Sequence, residues 1–427
     1  MKKLYHFLVD SKNISRSSFV WNMLAYTGNS FQSMIILLVI SQMGNMQDAA
    51  IFSIGFAAAS MFLVVGKYAV RNFQVSDVND QYTYGEYVYA RKLSILLMFL
   101  ASALYLGYCW CFKAYSIYKV VCVVLLLGVR FLESAEDVFH GHLQKNGRLD
   151  IASKIWGIRT YSYIVSVIVL YLFTDNLAIS ATISLVISAG LLLLLNHSVL
   201  NFFPKVMQCE KKKGLQILKN CFPLALSTFL LTYIANSPKY AVDSIFSDEA
   251  QAAFNIICMP VFVISLLGNY IYNPLVKKMA GIWSEGSVRE LKKMIYKQIL
   301  LILAFLVVVI IGGELIGIRI LEILYHISLS EYHVPFVYLM TAGGAMTIFN
   351  LLIVVATIIR KQRMLQYISL AASILFLAGN KWILLNIGIL GLCQYYAGVL
   401  ILMAIMTLVL CFREINRKAK KPVGEVE

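Results

Sequence analysis

The chain has 427 residues, 60% hydrophobic and 14% charged, with a mean hydropathy of +0.75. Soluble domains carry about 25% charged residues, so composition excludes a soluble globular protein and leaves a polytopic membrane protein. The net charge of +15 does not point to nucleic acid, because the lysines and arginines sit in short clusters between apolar runs, the pattern of a positive-inside bias.

The start, Met1-Lys2-Lys3, is followed by mixed polar residues and then by a long apolar run, so no cleavable signal peptide is expected. Twelve spans follow, each about 20 residues and long enough for a hydrocarbon core of about 30 Å. They fall near 17–42, 49–72, 90–112, 117–140, 152–174, 177–203, 220–245, 250–275, 298–318, 335–359, 365–386 and 390–412. With the amino terminus inside, 28 of the 37 lysines and arginines lie in cytoplasmic connections and three in outer ones. Both termini are therefore expected in the cytoplasm of a cell-membrane protein. The linker 206–219 divides an amino-terminal lobe, 1–205, from a carboxy-terminal lobe, 220–427, which ends in a basic tail. Six spans on each side give both lobes the same orientation. Residues 277–297 form an expected amphipathic interfacial helix.

Span 2 ends on a charged stretch. Residues 49–64 carry no ionisable side chain, and Lys67 and Arg71 then appear four apart, on one face if the helix continues. Span 4 holds Arg130, Glu133, Glu136 and Asp137. At 100° per residue Arg130, Glu133 and Asp137 fall within about 60° of one another, with Glu136 pointing elsewhere. Arg159 enters span 5 at the same end. A cation in a span costs about 2.5–3.5 kcal/mol on insertion scales unless it meets protein or water. Two readings stay open: an ion-pair network that only locks helices together, or a water-filled cationic cavity for an anionic cargo. Four cations against two facing acids favour the cavity. On that reading Arg130→Ala or Arg159→Ala stops export while the chain still reaches the membrane.

In span 7, Lys239 and Asp243 are spaced as an i,i+4 pair, and Pro238 is a candidate hinge because it frees a backbone carbonyl one turn back. Lys381 snorkels to the outer edge. The eight cysteines read as free thiols, since Cys109 and Cys111 have the wrong spacing for a zinc or redox site. No metal or cofactor is expected. All six histidines fall at span ends or in loops, so no buried base is expected, and no catalytic constellation can be placed. The chain has no Gly-x-x-x-x-Gly-Lys-Ser/Thr stretch for ATP.

Four stretches carry a family resemblance. The first is Ala50-Ile51-Phe52-Ser53-Ile54-Gly55-Phe56-Ala57 with Arg71-Asn72-Phe73-Gln74-Val75-Ser76-Asp77 and Tyr87…Arg91. The second is Ser237-Pro238-Lys239-Tyr240-Ala241-Val242-Asp243 with Gln251-Ala252-Ala253-Phe254-Asn255 and Met259-Pro260. The third is Gly317-Ile318-Arg319-Ile320-Leu321, Leu324-Tyr325 and Leu329-Ser330-Glu331-Tyr332. The fourth is Ile387-Gly388-Ile389-Leu390-Gly391. The chain resembles the polysaccharide-repeat flippases of Gram-positive bacteria, in the multidrug/oligosaccharidyl-lipid/polysaccharide exporter superfamily. His326 stands where glycine often follows Leu-Tyr in that family.

The resemblance implies an all-α integral membrane fold of about 12 transmembrane helices, in two six-helix lobes around a central cavity that opens to each side in turn. The implied cargo is an oligosaccharide on an undecaprenyl pyrophosphate carrier. Lys67, Arg71, Arg130 and Arg159 would hold the pyrophosphate, with Glu133 and Asp137, and in the other lobe Lys239 and Asp243, as supporting charges. Partners would be membrane lipids and the glycosyltransferases and polymerase of the same pathway. A multidrug or small-cation antiporter of the same superfamily is the alternative, and would need an acidic lining. A polymerase-like membrane enzyme is a third reading, with only Glu314, Glu322, Glu331, His326 and His333 available on the outer face.

Overall fold

The computed structural model describes residues 2–43, 45–77, 80–200, 202–272, 275–359, 361 and 363–420, and among them every regular element is helical. The tail 421–427 and Arg360 therefore lie outside the described residues. The chain forms two compact units, Met1–Thr232 and Tyr233–Glu427. The division falls inside a continuous helix rather than in the linker 206–219.

The first unit contains α1 (Lys2–Val9), α2 (Ile14–Gln42), α3 (Met46–Lys67), α4 (Val70–Ser76), α5 (Tyr84–Phe112), α6 (Ile117–Lys145), α7 (Leu149–Thr174) and α8 (Leu177–Ser198). It also holds the first turns of α9 (Lys211–Asp243). Side chains set the helix starts. Asn13 accepts from the Arg16 N–H at 3.0 Å, and Thr83 with Glu86 closes a capping box on α5. Lys154 of α7 donates to the carbonyls of Phe7 and Leu8, which would otherwise be orphaned at the end of α1. Small residues let α3 approach α6 closely, as between helices in lipid. A Cβ on Gly55 would stand 2.8 Å from Leu126.

The expected span 49–72 is broken. Tyr68 and Ala69 both take left-handed backbone conformations, with φ of 47° and 54°. The carbonyl of Gly66, which a continuing helix would give to the Val70 N–H, instead accepts from Arg91 Nη1 at 2.5 Å and Ser94 Oγ at 2.7 Å. Gly66 has no room for a side chain, since a Cβ would meet Met98 Sδ at 2.5 Å. Lys67 and Arg71 therefore do not share one helical face; a sharp turn of chain separates them.

In the second unit α9 ends, and α10 (Asp248–Ile257), α11 (Met259–Tyr272), α12 (Val276–Ser284), α13 (Val288–Gly312), α14 (Ile318–Tyr325), α15 (His333–Ile358) and α16 (Arg363–Lys420) follow. The expected interfacial helix 277–297 is two elements, α12 and the first turns of α13. A π-helical stretch, Gly313–Gly317, joins α13 to α14 without a break. At His326, φ is 53°, which is why a glycine would suit that position. α9 continues through Pro238, and the carbonyl of Ile234, which Pro238 cannot donate to, accepts from Ser237 Oγ at 3.1 Å. Gly388 reverses the chain within α16 at φ 81° and ψ −167°, a region essentially reserved for glycine. Tyr395 Oη then reaches the Leu375 carbonyl at 2.7 Å, although the two residues are 20 apart in sequence.

Nine helical stretches among the described residues are long and apolar enough to cross a membrane. The stretch 363–417 is two helices joined at Gly388; the charged α6 and the pair α10–α11 are helical as well and lie outside those nine.

Candidate functional site

The site is organised on α6, whose cytoplasm-directed half by sequence carries Arg130, Glu133, Glu136, Asp137, His140 and Gln144. Its neighbours supply the counter-charges. Lys67, at the end of α3, reaches Glu133 Oε1 at 2.6 Å, and Arg130 Nη1 takes Glu133 Oε2 at 2.6 Å. Arg130 also lies over the Phe56 ring at 4.5 Å, a cation–π contact that favours a desolvated guanidinium. Asp137 is shared in the same way. Arg91 Nη2 holds Oδ2 at 2.6 Å, while Arg71 Nη1 is 3.4 Å from Oδ1 and gives its other donors to Gln144 Oε1 at 3.0 and 2.8 Å. Arg159 forks onto Glu136 and donates to Ser188 Oγ at 3.3 Å.

A cavity of about 510 Å³ opens against this network, wholly within the first unit, and Lys67, Arg71, Glu133, Glu136, Asp137 and His140 contribute to its wall. Accessibility separates the cations into two groups. The Lys67 and Arg71 side chains are 34% and 25% exposed, whereas Arg130 is 6%, Arg159 3% and Arg91 2% exposed. The three acids are all buried. Five cations against three carboxylates leave an excess of positive charge, and that excess is accessible at Lys67 and Arg71.

Of the four cations expected together, the structure brings all four into one network, but only Lys67 and Arg71 reach the cavity wall. Arg130 and Arg159 are committed behind it. Glu136 does not point elsewhere: it lines the cavity as the partner of Arg159. His140 is buried in α6, its Nε2 4.0 Å from Glu136, contrary to the expectation that no histidine is buried. Arg91, in the first turn of the expected span 90–112 and not among the site residues expected from sequence, is a central member. Its signal was there in Tyr87…Arg91 and Ser94, polar groups one turn apart at the entrance of an apolar run. Lys239 and Asp243 belong to the second unit, where the Lys239 carbonyl accepts from Gln251 Nε2 at 3.2 Å.

Just outside span 2, Asp77 ties the loop to α5 and α6. It accepts from Tyr87 Oη at 2.9 Å and from the N–H groups of Gln81 and Tyr82, and Lys145 stands 3.5 Å away. Burial pushes its pKa up, but these hydrogen bonds and the Lys145 charge outweigh burial and hold it below the ordinary 3.8.

The outer-face groups of the enzyme reading serve local structure. His333 pairs with Glu314 at 2.9 Å, and Glu322 accepts from the Leu329 N–H at 2.7 Å. Among the described residues no three His, Cys, Asp or Glu side chains converge to hold a metal ion.

The fold is similar to those of solved transporters of the MATE family and the MOP superfamily. An inward-facing multidrug resistance MATE family transporter of that superfamily aligns with a TM-score of 0.64 at 14% identity, over 94% of this chain and 100% of the other. A MOP superfamily transporter from Pyrococcus furiosus, described as having a binding pocket of reverse polarity that suggests a different function, aligns at 0.60 and 15% identity, over 98% and 99%. The Vibrio cholerae MATE transporter VcmN in its bent form aligns at 0.56 and 14%, over 95% and 98%. No protein-family model and no curated protein matches the chain. The likeness is one of fold.

Proposed function

We propose that this chain is a membrane transporter, not an enzyme, and that it moves oligosaccharide repeat units on a polyprenyl pyrophosphate carrier from the inner to the outer leaflet by alternating access, for capsule, exopolysaccharide or wall glycan assembly. One observation carries the reading. At the cavity wall the accessible charge is cationic, on Lys67 and Arg71, while every acid there is buried and already paired. A pyrophosphate presents several oxygens to desolvated cations, and an Arg fork matches them. Arg71 holds Asp137 only loosely, at 3.4 Å, so it can exchange that carboxylate for a ligand oxygen. Arg91, Arg130 and Arg159 keep the acids in place behind it. Pro238 is the candidate hinge of the rocking motion. The Pyrococcus furiosus transporter of similar fold, described as having a binding pocket of reverse polarity that suggests a different function, is in keeping with a cargo of another charge.

A multidrug or organic-cation antiporter is the second reading, favoured by the three carboxylates in the same wall and by the multidrug transporters among the fold relatives. The two are separated in proteoliposomes by following a fluorescent prenyl-pyrophosphate disaccharide and an organic cation side by side. Lys67→Ala and Arg71→Ala should each raise the half-saturating concentration of the pyrophosphate lipid about tenfold, roughly one charge-assisted contact, with unchanged protein levels. Cation transport that depends on Glu133 and Asp137, without movement of the pyrophosphate lipid, would establish the antiporter instead.

A further inference from the structure

The same cavity has a second wall that the charge argument leaves unused. Asn22, Tyr26 and Asn29 recur at spacings of four and three along α2, so they form one stripe on that helix. All three line the cavity, as does Trp156 of α7, which packs beside Tyr26. The Tyr26 and Trp156 rings meet edge to face, centroids 5.6 Å apart and planes at 90°. Tyr26 is 59% exposed, so most of its surface remains available. The two amides are lightly used: Asn22 Oδ1 accepts from Ser153 Oγ and Asn29 Oδ1 from Arg130 Nη1, each at the long distance of 3.5 Å.

Aromatic side chains near a membrane surface often form a belt facing the headgroups. That role does not account for a stripe in which asparagines flank the tyrosine on the same face, nor for a position beside Lys67 and Arg71 in one cavity. A carbohydrate does account for it. A pyranose ring offers a C–H face that packs on an aromatic ring, and equatorial hydroxyls that both donate and accept, as an amide does. Binding sites of this kind combine apolar area with a few placed polar groups.

We infer that Asn22, Tyr26, Asn29 and Trp156 form a sugar subsite that holds the first residues of the oligosaccharide while Lys67 and Arg71 hold the pyrophosphate. The inference rests on the proposed function and deepens it: the cavity recognises the glycan as well as the phosphate. Cargo selection then begins before translocation, because a carrier without sugar fills only half of the site.

Three probes test it with the full chain in nanodiscs: a bare prenyl pyrophosphate, the same lipid bearing a disaccharide, and a neutral prenyl disaccharide without phosphate. The wild type should bind the glycosylated pyrophosphate about tenfold more tightly than the bare one. Trp156→Ala and Tyr26→Ala should bring that ratio to near one while leaving affinity for the bare lipid within about twofold. Trp156→Phe should keep most of the preference. Asn22→Ala, at a partly exposed position that a core defect would not reach, provides the same readout should Trp156→Ala fold poorly. Equal wild-type affinity for bare and glycosylated lipid, or a preference untouched by all three variants, overturns the subsite. Tight binding of the neutral disaccharide, lost in Trp156→Ala but indifferent to Arg71→Ala, supports the subsite while removing the pyrophosphate reading.

Discussion

At Arg159 a full positive charge lies inside a membrane span with 3% of its side chain exposed, and Glu136 is what makes that tolerable. The pair is a liability when cut in half: breaking a buried ion pair by removing one partner costs about 3–5 kcal/mol, because the other charge is left desolvated. Arg159→Ala is therefore expected to lower both the amount of protein in the membrane and its unfolding midpoint in detergent, and Arg159→Ala combined with Glu136→Gln to recover most of both. A double variant no better than the single one would show that the arginine acts by some other route. This differs from the expectation drawn from sequence, in which loss of Arg159 left folding intact, and the difference comes from burial that spacing along one helix does not reveal. Asp77 gives a pH signature. Its pKa is lower folded than unfolded, so its contribution is complete above the ordinary carboxylate value, about 3.9, and fades as pH falls through the folded value. The stability difference between wild type and Asp77→Asn should be present at pH 6 and shrink as pH falls below about 4; a gap that stays unchanged as the carboxyl protonates argues against the assignment.

The joint between α3 and α4 is where element-scale forces compete. Two consecutive non-glycine residues in left-handed conformation cost about 1–2 kcal/mol each, and such strain persists only where surrounding contacts impose it. Here the contacts are the Arg91 and Ser94 bonds to the Gly66 carbonyl and the Arg91 bond to Asp137. The joint places Lys67 on one side and Arg71 on the other, with Ala69 itself in the cavity wall, so the strain sits beside the proposed ligand. Ala69→Gly should relieve part of it and stabilise the protein by about 0.5–1 kcal/mol, the left-handed penalty less the added entropy of the unfolded chain, as read from thermal unfolding in detergent. A fall in stability would mean that residue 69 is not held in that conformation. The sequence contained no sign of this joint: Tyr68 and Ala69 are ordinary helix residues, and the bonds that unwind them come from α5.

For the molecule as a whole, the separation of basic from apolar segments carries the topology. On that bias Ala114 is expected on the outer side and Gly147 on the inner side. With the eight cysteines, all free in the structure, replaced by serine, a single cysteine at residue 114 should react with an impermeant maleimide in intact cells, and one at residue 147 only after permeabilisation. The reverse pattern would invert the molecule. The helical class, the long apolar stretches and the charged character of α6 were all legible in the chain, because apolar length and the cost of an isolated charge in lipid are local properties. The Arg130–Glu133 spacing was visible for the same reason, since both residues belong to one turn of one helix. What only the tertiary structure decided is which partners face those charges. Arg91 joined the centre, Glu136 turned to Arg159, and Lys67 parted from Arg71, because each depends on where a neighbouring helix lies, and that is set by packing between residues far apart in sequence, such as Lys67 and Glu133, 66 positions apart.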